Sequence, residues 1–492
     1  MQSLLPSLTD NQPQGHHRWM LALAVLTLLG AALRAYHLGL DSYWLDEATS
    51  IVIARSNWTD IWNNVGQSSK PPLFYFLLKL WLPLGESEGI TRLLALLWGT
   101  LSIPTQYWLG RTMVDRRVGF LSAAILALSP FHVTYSQELR MYTLQGFLLT
   151  LTIGFFIRGL RRSQPVAWIA FAITASLAAY THYFSLYVLP FLGLYGLWKR
   201  RDRHIVTALG LSALFVAMAL LPQVGNLIDE VARETSEGYP PPTVLTPLAT
   251  LYFLLLSYTM PSKLFLPAMF VVLGMLALVV YESLRRSQTP PPTLLLWMTF
   301  GPLVTIYVTA AFLPLFLPER TLIVILPTLL VLLARGFVHR PRPSPVPPLL
   351  ALLITASTVS LGHYYWNPNH RKPPMRQAAA YVMENVEPAD AVLHTSDGSY
   401  ITFLVYPHPT YHFLLRGDPS PRKGESVYPV WGGAVIEAHE LAGQYRRLWL
   451  VVALDHSVGF QREVKASFDR LYPLLKQIDF EGIGVFLYDL RQ

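Results

Sequence analysis

The stretch LDSYWLDEATS, residues 40–50, sets two carboxylates side by side among aromatic residues, just beyond a long apolar run. Asp46 and Glu47 admit two readings. As a helix start, the acids meet the positive end of the helix dipole ahead of ATSIVIA. As a general base, one carboxylate takes a proton from an incoming hydroxyl, and partial burial at a membrane surface brings its pKa toward the working range. Adjacent residues point in different directions, so the pair is not automatically a facing dyad of the glycosidase kind.

Cationic residues supply the complementary chemistry. Lys70, in SSKPPLFYF (68–76), precedes a Pro-Pro step that fixes an extended approach to the following helix. It either snorkels at an interface or offers a point charge to phosphate. In SPFHVTYSQELRMYTL (129–144), Glu138 and Arg140 stand between Tyr135 and Tyr142 at an expected helix junction. They read as an interfacial ion pair within an aromatic belt or as part of an anion site. Arg320, in LPERTLIVILP (317–327), is a second arginine at a helix edge, with Pro327 expected to bend that helix. Two arginines and a lysine on one face could hold a phosphate. His182, in AYTHYF (179–184), is a lone histidine, a type more often structural than catalytic.

Other chemistries lack residues. There are no cysteines, which excludes disulfides and thiolate metal sites. HExxH, P-loop and dinucleotide-binding patterns are absent from the sequence. Asp46, Glu47, Glu138 and His182 could supply oxygen and imidazole ligands to a divalent metal, but no spacing demands one.

The elements that must position these residues are membrane helices. Of the 492 residues, 52% are hydrophobic and only 14% charged, against about 25% charged in soluble domains. Mean hydropathy is +0.36. Apolar runs recur along the first three quarters of the chain, which makes this an α-helical polytopic membrane protein. The net charge of +8 reads as positive-inside loops facing the cytoplasm rather than as a nucleic-acid surface: 111–117, 158–162, 199–204, 284–287 and 335–342, with Arg18 ahead of the first span. Spans are expected at 19–38, 90–109, 118–135, 141–157, 166–181, 184–198, 205–221, 264–280, 294–313, 322–334 and 347–362, about eleven helices in all. The first is read as retained, because no cleavage-site pattern precedes it. This threading puts the protein in the plasma (inner) membrane with the N-terminus cytoplasmic.

Two apolar runs do not fit. Segment 71–84 is short for a span and carries Lys79, so it is expected to lie along the outer surface, and 244–258 likewise. The candidate residues then gather on the outer face. From about residue 363 the composition becomes that of a soluble α/β domain. Strands are expected at 391–396, 400–406, 447–454 and 484–490, and helices at 373–386 and 462–475. The expected division is a membrane domain over 1–362, with a first outer loop at 39–89, and an extracytoplasmic α/β domain over 363–492.

In order along the chain, LRAYHLGLDSYWLDEATS (33–50), KPPLFYFLLKLW (70–81), RLLALLWGTLSIPTQYWLGR (92–111) and ALSPFHVTYSQELRMYTL (127–144) resemble membrane glycosyltransferases of the GT-C superfamily. The likeness is to bacterial relatives of the protein O-mannosyltransferases and the lipid A aminoarabinose transferases. It implies a catalytic role for Asp46 and Glu47. It implies a sugar donor carried on a polyprenyl phosphate, with Lys70, Arg140 and Arg320 on its phosphate, and it leaves Glu138, Tyr142 and His182 as further site residues. Many members carry Tyr after the late arginine, where this chain has Thr321.

A physical argument runs parallel. Nucleotide sugars are cytoplasmic, so a site on the outer face needs a lipid-borne donor. The phosphate leaves as a stabilised anion, and cations there stabilise developing charge. The expected activity is an inverting transfer of the sugar to an acceptor hydroxyl on a lipid, a glycan or a protein. The alternatives are an oligosaccharide transferase of the same superfamily and a lipid-linked sugar flippase. A flippase needs polar residues through the membrane, whereas these gather on one face.

Overall fold

The computed structural model describes residues 13–63, 70–162, 164–236, 240–285, 293–313, 319–339, 346–407, 411–415, 434–436, 438–441, 443–453 and 458–491. Helix α1 (Pro13–Ala35) is followed by three short helices, α2 (Leu45–Arg55), α3 (Trp58–Trp62) and α4 (Leu73–Trp81). Next come α5 (Glu88–Met113), α6 (Arg116–Leu128), α7 (Pro130–Ser136), α8 (Tyr142–Arg162), α9 (Pro165–Thr181), α10 (Leu189–Lys199), α11 (Arg203–Leu220) and α12 (Val224–Ser236). Then follow α13 (Thr246–Leu256), α14 (Ser262–Arg285), α15 (Thr293–Phe312), α16 (Leu326–Val338) and α17 (Val346–Trp366). The remaining chain alternates: α18 (Met375–Asn385), β1 (Asp390–His394), α19 (Asp397–Phe403), β2 (His412–Leu415), β3 (Ala434–Ile436), β4 (Arg447–Ala453), α20 (Val458–Leu471), β5 (Leu474–Asp479) and β6 (Ile483–Asp489).

Every span expected from hydropathy falls on helix. By length and apolarity, six stretches among the described residues are able to cross a bilayer: His17–Ala35, Tyr142–Arg162, Arg203–Thr235, Ser262–Tyr281, Thr293–Phe312 and Glu319–Val338. The pair α6 and α7, bent by 60°, makes a seventh. Helices α5, α9, α10 and α17 lie on the other four expected spans but fall outside that set: α9 is an apolar helix shorter than a span, and α10 has 11 residues. Segments Leu73–Leu84 and Thr246–Leu256 are apolar helices shorter than a span, as the sequence requires.

The described residues form two compact units, one within Met1–Tyr36 and Arg92–His370, the other within His37–Thr91 and Arg371–Gln492. The first unit is helical. Its Glu319–Val338 stretch is almost wholly enclosed by neighbours, whereas Arg203–Thr235 presents most of its surface outward, as a lipid-facing helix does. Helices α5 and α6 touch backbone to backbone: a Cβ added at Gly110 would lie 2.7 Å from the Cα of Gly119. Such small-residue contacts let membrane helices approach closely.

Ser129–Pro130 breaks the α6–α7 helix. Pro130 brings no N–H, so the Leu126 carbonyl loses its α-helical donor and keeps only the Ser129 N–H at 3.3 Å. Arg34, fully buried at the end of α1, replaces it. Its Nη1 donates to the carbonyls of Gly30 (2.8 Å) and Ala127 (3.1 Å), and its Nη2 to Leu126 O (3.1 Å) and His132 Nδ1 (2.9 Å). Because arginine only donates, His132 accepts at Nδ1. Gln137 Nε2 returns the tie, donating to the carbonyls of Arg34 (2.9 Å) and Tyr36 (2.6 Å).

The second unit contains a mixed sheet in the order β3-β2-β1-β4-β6-β5. Strands β3, β2, β1 and β4 run parallel, and β6 and β5 antiparallel. Met375, Ala378 and Val382 of α18 and Phe403 of α19 cover one face, against Val392, Trp449 and Val451. Phe468 of α20 covers the other face, against Leu393, Leu448, Leu450 and Tyr488. The apolar run 447–453 is a two-sided buried strand, as expected. The run 400–406 is not a strand. Ser396 accepts from Ser399 N at 3.4 Å and Asp397 occupies the first turn of α19, so a capped helix wins over β-propensity.

Two predictions follow from this architecture. Arg34→Leu removes the side-chain donor from the Ala127 carbonyl and leaves the Leu126 carbonyl only the Ser129 N–H at 3.3 Å, costing about 1–3 kcal/mol for the buried acceptor orphaned. A lowered thermal midpoint in detergent is the readout, and Arg34→Lys recovers only part of it because one ammonium cannot fork to both helices. The second concerns Asp390. Burial opposes its ionisation, yet Arg447 (2.8 and 2.7 Å), the Glu387 N–H (2.9 Å) and Trp449 Nε1 (3.0 Å) together hold it below the usual carboxylate value. A depressed carboxylate stabilises above its unfolded pKa of about 4 and loses that contribution as pH falls through the folded value. Acid unfolding of the sheet, followed by hydrogen exchange, should therefore set in below about pH 4, and Asp390→Asn should lower stability at neutral pH while flattening this dependence.

Candidate functional site

In the second unit, Asp46 and Glu47 form the first turn of α2, where acids suit the helix dipole. Trp44 precedes them in extended conformation, φ −104° and ψ 171°, and offers no side-chain cap. The helix-start geometry is thus present, and it separates the two acids by about 100° around the axis. Glu47 has no exposed surface. Its Oε2 accepts from Lys372 Nζ at 3.0 Å, and that ammonium lies 5.6 Å over the Trp44 ring. Asp46 is half-buried.

Lys70 is half-buried in the turn before Pro71 and Pro72, which lead directly into α4. Phe74, Tyr75 and Leu78 make the buried face of α4. Lys79 is occupied structurally: its Nζ donates to the carbonyls of Ser56 (2.6 Å) and Ala54 (3.3 Å), closing the C-terminus of α2. Helix α4 therefore braces the helix that begins with Asp46 and Glu47.

Further ion pairs fasten the same loop. Arg371 Nη1 meets Asp41 Oδ1 at 3.2 Å, and Arg376 Nη1 meets Glu88 Oε2 at 3.0 Å. Tyr406 Oη donates to Glu88 Oε1 at 2.7 Å and accepts from Tyr43 N at 2.8 Å. Burial and the Glu88 charge push the Tyr406 phenol well above its ordinary pKa, so it stays a donor at any physiological pH.

In the first unit, Glu138, Arg140, Tyr142 and His182 are all buried. Glu138 and Arg140 sit in the irregular turn between α7 and α8, and Tyr142 opens α8. Arg320 Nε donates to Tyr142 Oη at 2.9 Å, and the guanidinium carbon lies 5.8 Å from that ring centroid. Tyr135 meets the Tyr142 ring edge-on at 5.6 Å, and His182 lies 6.2 Å from it. His182 Nδ1 accepts from Phe184 N at 3.2 Å, a capping role. Tyr258 is near enough to Glu138, Arg320 and Glu319 to feel their charges. Arg320 stands in a 3-10 turn over Glu319–Ile325, and Pro327 begins the α-helix after that turn.

The structure brings Glu138, Arg140, Tyr142, His182 and Arg320 into one unit, and Asp46, Glu47 and Lys70 into the other. Sequence reasoning missed Lys372, Arg371 and Arg376. The signal was available: RKPPMR (371–376) is a basic cluster that follows the last expected span, where the threading from the charge rule expects few cations. Among the described residues, no group of three or more His, Asp or Glu side chains is arranged to hold a metal ion.

The architecture is a bundle of long apolar helices with a small C-terminal sheet, and it is shared with several solved membrane proteins. Residues 69–225 match the family described as dolichyl-phosphate-mannose-protein mannosyltransferase. The chain is similar to ArnT from Cupriavidus metallidurans in the apo state, with TM-score 0.66 and 13% identity over 96% of this chain and 98% of that one. The same protein bound to undecaprenyl phosphate gives 0.64 and 13%, over 95% and 98%. An Archaeoglobus fulgidus oligosaccharyltransferase tethered to an acceptor peptide gives 0.52 and 12%, over 97% and 74%. No curated protein sequence matches the chain.

Proposed function

We propose that this protein is an inverting glycosyltransferase. It moves one sugar from a polyprenyl-phosphate donor to an acceptor hydroxyl at the extracytoplasmic face of the inner membrane. The observation that carries this reading is a set of polar groups buried around Arg320, on Tyr142 and beside Glu138 and Arg140, in a protein otherwise built of apolar helix. Ionisable residues buried in this way are costly unless they are paired or serve a ligand. Support also comes from the mannosyltransferase family match and from the fold shared with ArnT, one of whose structures holds undecaprenyl phosphate.

Each residue then has a role. Asp46 takes the proton of the acceptor hydroxyl as that oxygen bonds to the anomeric carbon. The bond from that carbon to the phosphate oxygen breaks, and polyprenyl phosphate leaves as an anion. Lys70, Arg140 and Arg320 hold the phosphate and stabilise its growing charge. Glu47 orients the first turn of α2. A single displacement inverts the anomeric configuration. The N-terminus is cytoplasmic, and residues 363–492 form an extracytoplasmic domain.

The test is sugar release by the purified protein in detergent from a panel of radiolabelled polyprenyl-phosphate sugars. Asp46→Asn should lower the rate by about 10²–10⁴-fold, as loss of a general base does, while the variant still binds undecaprenyl phosphate. Release that survives in this variant moves the base elsewhere, and a product of retained configuration sinks the single displacement. Sugar-lipid crossing sealed vesicles without transfer would replace the enzyme by a transporter. Tyr142→Phe removes the acceptor that orients Arg320. We expect the donor KM to rise about tenfold, the equivalent of one hydrogen bond to a charged group, with a smaller change in kcat.

A further inference from the structure

Lys-Pro-Pro occurs twice, at 70–72 and again at 372–374. The second copy stands directly before α18, where Met375 N donates to Pro373 O at 2.8 Å. Two prolines restrict the backbone on which Lys372 is mounted. Its side chain is one-fifth exposed, whereas Glu47, its partner at 3.0 Å, is completely enclosed. An enclosed carboxylate needs a counter-charge, and removing one partner leaves the other costly. Arg371 on Asp41 and Arg376 on Glu88 clamp the same short segment on either side. The Lys372–Glu47 pair is therefore the inner member of three ion pairs between residues 371–376 and the loop that carries the carboxylates.

We propose that Lys372 is a positioning residue for the transfer: it anchors Glu47 and thereby sets the direction of Asp46, one step around the same helical turn. The inference rests on the reading of Asp46 as base. It divides the adjacent acids by role. Glu47 has one oxygen committed to an ammonium and acts through the helix it anchors. Asp46, half-buried, meets the acceptor. The domain beyond residue 370 then contributes directly to the alignment of the catalytic turn.

The experiment uses the full chain and the same sugar-release assay, with Lys372→Met, Lys372→Arg, Glu47→Gln and the double variant Glu47→Gln/Lys372→Met. Lys372→Met should lower kcat by about 10–100-fold, the scale of a misplaced reacting group, with donor KM unchanged. Lys372→Arg should restore most of that loss. The double variant should be no slower than either single one, because the two residues act as a unit. It also removes both charges of the pair together, so it stands in if a single variant does not fold. A raised donor KM with normal kcat in Lys372→Met would make Lys372 a phosphate ligand and overturn the proposal, as would losses that multiply in the double variant. Wild-type release that collapses in Asp46→Asn but is untouched in Lys372→Met overturns this inference alone. A wild type that releases no sugar from any donor withdraws the proposed activity and this inference with it.

Discussion

A single guanidinium organises the membrane part of this protein. Arg34 is a permanent charge with no exposed surface, near the end of an apolar helix. It is tolerated there because its guanidinium is spent on the carbonyls of Gly30, Leu126 and Ala127 and on His132, where α6 bends into α7. The bend aims α7 away from the axis of α6. The chain then leaves α7 through SQELR and enters α8 at Tyr142. Glu138, Arg140 and Tyr142 owe their placement to that turn. Without Arg34 the buried Ala127 carbonyl would lose its side-chain donor, and the Leu126 carbonyl would keep only the Ser129 N–H.

The second unit solves a different problem. A loop of short helices holds two acids at the start of α2, whose remaining turns are buried. It does so with charge pairs whose partners come from 371–376, and with Lys79 closing the far end of α2. Surface ion pairs contribute little on their own. These differ because Glu47 and Glu88 are enclosed, so each pair fixes geometry and its disruption removes a counter-charge from a buried carboxylate.

Much of this was legible in the sequence. Apolar runs located every long helix, because a bilayer imposes its thickness on hydropathy. Strands β1, β4 and β6 declared themselves through continuous buried runs. The strand expected at 400–406 was a capped helix, since Ser396 and Asp397 decide by hydrogen bonding what apolarity leaves ambiguous. Strand β5, LLKQID, was hidden because nearly all of its residues are exposed. Among the site residues, local motifs pointed to Arg140, Tyr142 and Arg320, and the Tyr142–Arg320 bond joins two of them across distant sequence. Lys372 was not legible in the same way. An ion pair between distant segments leaves no period or spacing to read, only an unexplained cluster of cations.

The chain order of the second unit has a consequence for synthesis. Its two segments are separated by the whole helical unit. At ordinary translation rates of about 5–20 residues per second, roughly 280 intervening residues take tens of seconds to emerge. For that time the turn bearing Asp46 and Glu47 has been made, but Lys372, Arg371 and Arg376 do not yet exist. The nascent protein therefore carries its carboxylate loop unfastened, and the loop is locked only when the last quarter of the chain arrives. A chain cut short of residue 371 would leave the N-terminal loop without these three cations, far from the lesion in sequence.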